Sequence, residues 1–377
     1  MNEAAGRTNE LAEGPRPASR LRRGLRTLRK RKRFVAGLSI VIFFYAVALF
    51  ADFLAPYDYR TQSRWEKSSP PSPLRFSDAE GNWHARPFVY ERRLVDATQR
   101  VYGEDSSRAH PLVLFTTGYT YKLFGLFQTR KHLFGMLDGD AEDGTRVRLL
   151  GTDRQGRDRF SRLLIASRFS LVVGPTGTLL ASALGILLGC VAGFGGRVVD
   201  AILMRVADTM LALPALVLIL AARAAFPLAL PLWKAAVLMI SIFALIGWAE
   251  MARLTRGLVL ALRGREFVLA AESLGLSKAR ILFRHILPNA ARPLVVQVTL
   301  MLPFFILTET ALSYFGAGPQ APEASWGNML AEAGDSNLLA RQPLVLLAPA
   351  FAIFFFVLGI RLLGDGLKGK TERGVPV

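Results

Sequence analysis

The sequence predicts an all-α polytopic membrane protein with six transmembrane helices and an extracytoplasmic insert between the first and the second. Three observations carry this. The hydrophobic residues, 51% of 377, stand in long runs and not at amphipathic spacing. At about 1.5 Å per residue, each run can cross roughly 30 Å of hydrocarbon. Basic residues crowd beside the runs, so the formal net charge of +18 reads as topology and not as a nucleic-acid surface.

The elements follow in order. Residues 1–33 form a basic tail with eleven Lys or Arg against three Glu, ending "RTLRKRKR", which attracts anionic lipid and marks a cytoplasmic N-terminus. Residues 34–54 are the first span; no small-residue cleavage site follows, so it is read as retained. Residues 55–167 form the extracytoplasmic insert. It begins irregularly at "SSPPSP" (68–73) and ends in an amphipathic segment, 151–169, expected to lie along the membrane surface. The apolar stretch Pro111–Phe127 is short and broken by Thr116, Thr117, Thr120 and Lys122, and is not counted as a span. Residues 168–365 hold five further spans, at about 170–194, 202–222, 232–249, 294–315 and 344–363, with a loop at 250–293. Residues 366–377 form a second cytoplasmic tail. Short-loop charge agrees with both termini inside: 250–293 carries eight Lys or Arg, whereas 316–343 carries only Arg341.

Inside the second span Gly185, Gly189 and Gly193 recur every four residues, the spacing that lets two helix backbones approach. Cys190, the single cysteine, cannot form a disulfide within the chain and reads as a packing residue. Glu309 is the acidic residue well inside a span, a candidate pathway or gate position or a structural partner. Arg205 and Asp208 are spaced for a local pair near the inner end of the third span, and Glu250, Arg361 and Asp365 fall at inner boundaries.

Catalytic, cofactor and metal sites are not expected. "GDGLKGKT" (364–371) fits the letters of a phosphate-binding loop, but that loop needs a strand before it and a helix after it, and here a span precedes it and six residues follow. His84, His110, His132 and His285 share no metal-ligand spacing. A transporter of this kind works as an ion-coupled carrier or channel, or it borrows an ATPase. Carriers tend to show midplane carboxylates and paired broken helices in repeated halves; one acidic position and no repeat are found.

The loop "EFVLAAESLGLSKARILFRHILPNA" (266–290) predicts two short helices turning at Gly275. In 264–274, Phe267, Ala270, Ala271 and Leu274 form the expected apolar stripe, with Arg265, Glu266, Glu272 and Ser273 away from it. Ser277 is the expected N-cap of the second helix, Ile281, Leu282 and Ile286 extend the apolar face, and Lys278, Arg280 and Arg284 are basic, the last two making a ridge; Pro288 ends the motif. The module suits insertion into a groove on another protein or repose on anionic lipid.

This segment resembles the "EAA" loop of binding-protein-dependent ABC importer permeases, and "RHILPN" (284–289) is similar to the dipeptide, oligopeptide and nickel branch. "LGTDRQGRDRFSRLL" (150–164), "RVADTMLALPAL" (205–216), "SWGNML" (325–330) and "LLGDGL" (362–367) stand in the order that branch has its motifs. "YKLFGLF" with "HLFG" (121–135) is similar to members with an enlarged outer loop. The resemblance implies an importer-type ABC permease fold and transport of peptides or related solutes. Its implied partners are a second permease subunit, two ATP-binding-cassette ATPase subunits that hold ATP and Mg, and a solute-binding protein. Glu266, Ala270, Ala271, Glu272, Gly275, Lys278, Arg280, Arg284 and Pro288 would form the ATPase-coupling loop, in a bacterial-type inner membrane. Two residues depart from the pattern: Leu269 stands at the motif's opening acidic position and Arg361 precedes "LLGDGL".

Overall fold

The computed structural model describes residues 31–96, 100–136, 146–334 and 336–368. The basic run before Arg31 and the tail beyond Lys368 lie outside the described residues. Among the described residues, five helices are long and apolar enough to cross a membrane, and a bent pair supplies a sixth crossing if counted as one span.

The first span, α1 (Lys32–Leu49), leads through a short α2 (Ala51–Leu54) into the insert. The insert begins irregularly, 68–73 forming neither helix nor strand, and then builds a four-stranded antiparallel sheet of β1 (Arg75–Ser77), β2 (Trp83–Asp96), β3 (Val101–Leu123) and β4 (Phe127–Met136), in that order. The stretch at 111–127 lies mostly within β3, so its alternating Thr and aromatic residues are a strand pattern. One long strand serves two neighbours. The first half of β3 pairs with β2 through Val89–His110, and the second half pairs with β4 through Val113–Gly135.

The second span, α3 (Arg159–Phe194), begins well before residue 168. Asp158 caps it, accepting from the Ser161 amide at 2.7 Å. The segment expected to lie on the membrane surface is therefore the helix's own first turns and the loop before them. Asp153, Arg157, Asp158, Arg159 and Arg162 of this segment are buried, and polar groups from several parts of the chain partner them. Arg157 Nε lies 2.6 Å from Asp153 Oδ2, Arg148 Nη2 lies 2.5 Å from Glu66 Oε2, and Arg159 donates to Gln342 Oε1 at 2.8 Å. Arg148 Nη1 stands 3.6 Å from Asp158 Oδ1, which accepts no hydrogen bond. Burial pushes the Asp158 carboxyl up, against the pull of the Arg148 charge. For Arg148, burial acts downward, but the Glu66 and Asp158 charges outweigh it and hold the guanidinium above its ordinary value. Arg148→Ala is expected to destabilise the insert end by about 3–5 kcal/mol, because it leaves buried Asp158 without its counter-charge; a lowered thermal unfolding midpoint of the purified chain checks this.

The third span departs from a straight 202–222. It consists of α4 (Arg197–Ala212) and α5 (Ala215–Ala224), bent by 90°. Pro214 explains the break: the residue before a proline is driven out of the helical region, and Leu213 is extended at φ −96°, ψ 143°. Next come α6 (Leu232–Arg263), the hairpin of α7 (Glu266–Ser273) and α8 (Lys278–Ile281), and α9 (Leu287–Tyr314), reached from α8 through a π-helical turn at Leu282–Ile286. Pro288 lacks the N–H that an α-helix would send to Arg284, and the backbone widens just before it. Beyond α9 lie α10 (Trp326–Ala331), α11 (Ser336–Arg341) and α12 (Leu344–Lys368).

Small residues set the helix contacts. A Cβ on Gly185 would meet Met251 Cβ and Trp248 O, both at 2.6 Å; on Gly189, Ala252 O at 2.5 Å; on Gly193, Val259 Cγ1 at 2.5 Å. The three glycines thus form the face of α3 on which α6 lies. The first and last spans meet the same way, Gly37 standing where a Cβ would lie 2.6 Å from Gly359 O. At the insert end Trp326 is buried against Phe44 and Phe356, joining α1, α10 and α12. "SWGNML" is explained locally: Ser325 and Asn328 form a reciprocal capping box that starts α10 and aims this indole inward.

Candidate functional site

Two features stand out, the charged hairpin between α6 and α9 and a cavity lined by the middle of α6 and by α9. In the hairpin, α7 ends in a Schellman motif. The Leu276 amide donates to Ala271 O at 3.2 Å and the Gly275 amide to Glu272 O at 2.9 Å. Gly275 sits at φ +76° in open space, so glycine is there for conformation and not for room. Ser277 takes the N-cap backbone position of α8, but its side chain makes no cap hydrogen bond.

The buried face of α7 differs from the expected stripe. Val268 and Ala271 point inward, onto Val259, Cys190, Ile281 and Ile286, while Phe267, Ala270 and Leu274 are exposed. The small Ala271 thus seats on the core and the bulkier Phe267 and Leu274 point away. Leu274 is 81% exposed and Phe283 65%. With Lys278, Arg280, Arg284, Glu266 and Glu272, also exposed, they give the hairpin an outer surface both apolar and charged. Pro288 is exposed beside it, and Asn289 Nδ2 donates to His285 O at 2.6 Å across the π-helical turn.

The cavity, of about 420 Å³, is bounded by Met210 and Leu213 at the bend of the third span, Gly247 and Glu250 of α6, and Gln297 and Phe304 of α9. Its polar wall is one contact, Gln297 Nε2 donating to Glu250 Oε1 at 2.8 Å. Glu250, expected as a boundary anchor, thus belongs to a cavity wall. Glu309 does not. It is fully buried within the helix packing, its Oε1 accepting from Ser313 Oγ at 2.8 Å and its Oε2 left without a hydrogen bond. Of the two readings offered for Glu309, this contact fits the structural one: α9 turns Gln297 and Phe304 to the cavity and Glu309 towards Ser313.

The expected Arg205–Asp208 pair is also replaced. Asp208 pairs with Arg253, and Asp200 with Arg256, whose Nη2 donates to Asp200 Oδ2 at 2.6 Å. Both bridges run from α4 to α6 and brace the bent span against the helix that feeds the hairpin. Spacing along one helix suggested the first pair; acidic positions on α4 opposite arginines three apart on α6 were the signal for the true ones.

Residues 185–375 match the family described as binding-protein-dependent transport system inner membrane component, and residues 19–71 match the N-terminal TM domain of oligopeptide transport permease C. The oligopeptide transport system permease protein OppC of Bacillus subtilis (strain 168) is 38% identical over 222 residues, 59% of this chain and 70% of that protein. The di/tripeptide transport system permease protein DppC of Pseudomonas aeruginosa (strain UCBPP-PA14) is 39% identical over 231 residues, 61% of this chain and 74% of that one. Among solved structures, a chain of the MetNI methionine ABC transporter in an inward-facing conformation aligns at a TM-score of 0.41 and 19% identity, covering 52% of this chain and 88% of that one. A family match across half of the chain, joined to a first-span match and to relatives covered over more than two thirds of their length, shows that the chain belongs to the binding-protein-dependent transport system inner membrane components, the permeases of ABC importers.

Proposed function

We propose that this chain is one of two permease subunits of an ATP-driven importer for peptides, and that it forms half of the translocation pathway. The observation that carries this is shared helices: α6 and α9 wall the cavity through Glu250 and Gln297 and are joined by the hairpin of α7 and α8. A push on the hairpin is a push on both cavity walls. In this reading the exposed surface of Phe267, Leu274, Lys278, Arg280 and Arg284 docks in a groove of an ATPase subunit. ATP and Mg are held by the ATPase subunits and none by this chain. The cavity faces the second permease subunit, and a solute-binding protein delivers cargo from the side of the insert. The basic residues of the N-terminal run and of the hairpin support a cytoplasmic position for both, in a bacterial-type inner membrane. Peptides are the proposed cargo because relatives over most of their length are named as oligopeptide and di/tripeptide permeases.

An ion-coupled carrier working alone is the competing reading, and the enclosure of Glu309 argues against it, since a coupling carboxylate must reach the pathway. The test is to fill the cavity: Gln297→Trp is expected to lower peptide uptake in proteoliposomes about tenfold, equivalent to roughly 1.4 kcal/mol on the transport barrier, with the co-purified ATPase complement unchanged. Unaltered uptake in that variant would remove the cavity from the pathway.

A further inference from the structure

We propose that the tip of the β3–β4 hairpin is a lipid anchor, inserted into the bilayer interface at the end of the first span. Phe124, Leu126 and Phe127 are 46%, 77% and 68% exposed, on a turn closed by the Gly125 amide donating to Lys122 O and the Leu126 amide to Leu123 O, each at 3.1 Å. Contacts fix the level at which this apolar tip stands. The Phe124 ring is edge-on to Phe50 at 5.4 Å, and Phe115 lies 6.4 Å from Phe53. Phe50 is the C-cap of α1, so the tip sits where a membrane-crossing helix leaves the hydrocarbon.

The root of the hairpin holds it there. His132 Nδ1 lies 3.0 Å from Asp52 O, and Tyr119 OH donates to the same carbonyl at 3.4 Å. His132 is buried between Tyr119 and Tyr121, with ring centroids at 4.5 and 4.9 Å. Lipid is the occupant because the surface is continuous: α1 exposes Phe43, Leu49 and Phe50, and the tip extends that apolar face without a polar gap at the Phe50–Phe124 contact. Exposed Lys122, Arg130 and Lys131 flank the tip and suit headgroup phosphates. Apolar rings ahead of a basic collar are the pattern of an interfacial segment.

The test uses the full chain in nanodiscs of phosphatidylethanolamine and phosphatidylglycerol, with Cys190→Ala as background and a bimane label on Leu126→Cys; Phe127→Cys serves as a second reporter. Glu80→Cys, in the exposed β1–β2 turn, is the control. At the tip, fluorescence is lost to lipids carrying a doxyl group just below the headgroup and is spared by aqueous iodide; at residue 80 the order reverses. Free quenching of both tip reporters by iodide overturns the proposal. So does shielding from both quenchers, which assigns the surface to a protein partner.

Discussion

Gly275→Pro is expected to lower ATP-driven uptake about a hundredfold while leaving the spans assembled. Proline fixes φ near −65°, and the turn requires the +76° that Gly275 holds. The substitution also removes the amide that donates to Glu272 O, one of the two bonds closing the Schellman motif. A penalty of about 3 kcal/mol is roughly two decades in the population of a correctly shaped hairpin. Gly275→Asn is the control, because asparagine tolerates left-handed backbone and the space around Gly275 is open; uptake in that variant stays near that of the unaltered chain. Measured together, uptake and ATPase activity distinguish a lost coupling from a lost fold, since the proline variant retains nucleotide hydrolysis by the partner subunits without transport.

The second large effect lies within the membrane. Gly189→Leu is expected to abolish recovery of folded protein, because even a Cβ there would lie 2.5 Å from Ala252 O and 2.6 Å from Thr255 Cβ. Backbone cannot yield as a flexible side chain can, so α3 and α6 must part, at about 1–3 kcal/mol or more. That interface also braces the cavity wall and the hairpin, so its loss spreads. Gly257→Ala on α6 is the matched control, with nothing within 4 Å of the added methyl; it is expected to be neutral or to stabilise the helix by up to about 1 kcal/mol. The readout is the monodisperse fraction in detergent and its thermal unfolding midpoint.

The membrane framework was legible in the sequence because span length is a coarse quantity: a run of about twenty apolar residues allows few other structures. The glycine spacing was legible for the same reason, since a four-residue repeat on a helix marks one face whatever packs there. The insert was not. Apart from the Thr and aromatic residues of 115–121, its long strands lack a clear apolar–polar alternation, and the pairing of one strand with two neighbours is a tertiary fact. The ion pairs that seat the insert were hidden too: Arg148 and Glu66 are far apart in the chain, and only folding brings them together.

The hairpin shows where helical periodicity reaches its limit. Its turn and its two helices were readable from Gly275 and the flanking pattern. Its buried face was not, because Phe267, Val268, Ala270 and Ala271 offer two overlapping stripes, and the core at Val259, Ile281 and Ile286 chose the one with Val268. The other stripe, turned outward, leaves Phe267, Ala270 and Leu274 exposed, the apolar part of the proposed docking surface. Glu309 had two readings in the sequence for a related reason. A carboxylate deep in a span is costly, but the cost alone does not say whether it faces a pathway or a serine on its own helix.

Central to the account is the claim that the hairpin couples this chain to a separate ATPase. The most direct measurement is peptide uptake by proteoliposomes holding the permease pair and supplied with the solute-binding protein, with and without the ATPase subunits, for the unaltered chain and for Arg284→Glu, which reverses charge on the exposed ridge. The account predicts uptake only when ATP and ATPase are both present, with co-purification of the ATPase lost or weakened in the variant. Uptake that persists in the absence of ATP and ATPase, driven by an ion gradient alone, would contradict it.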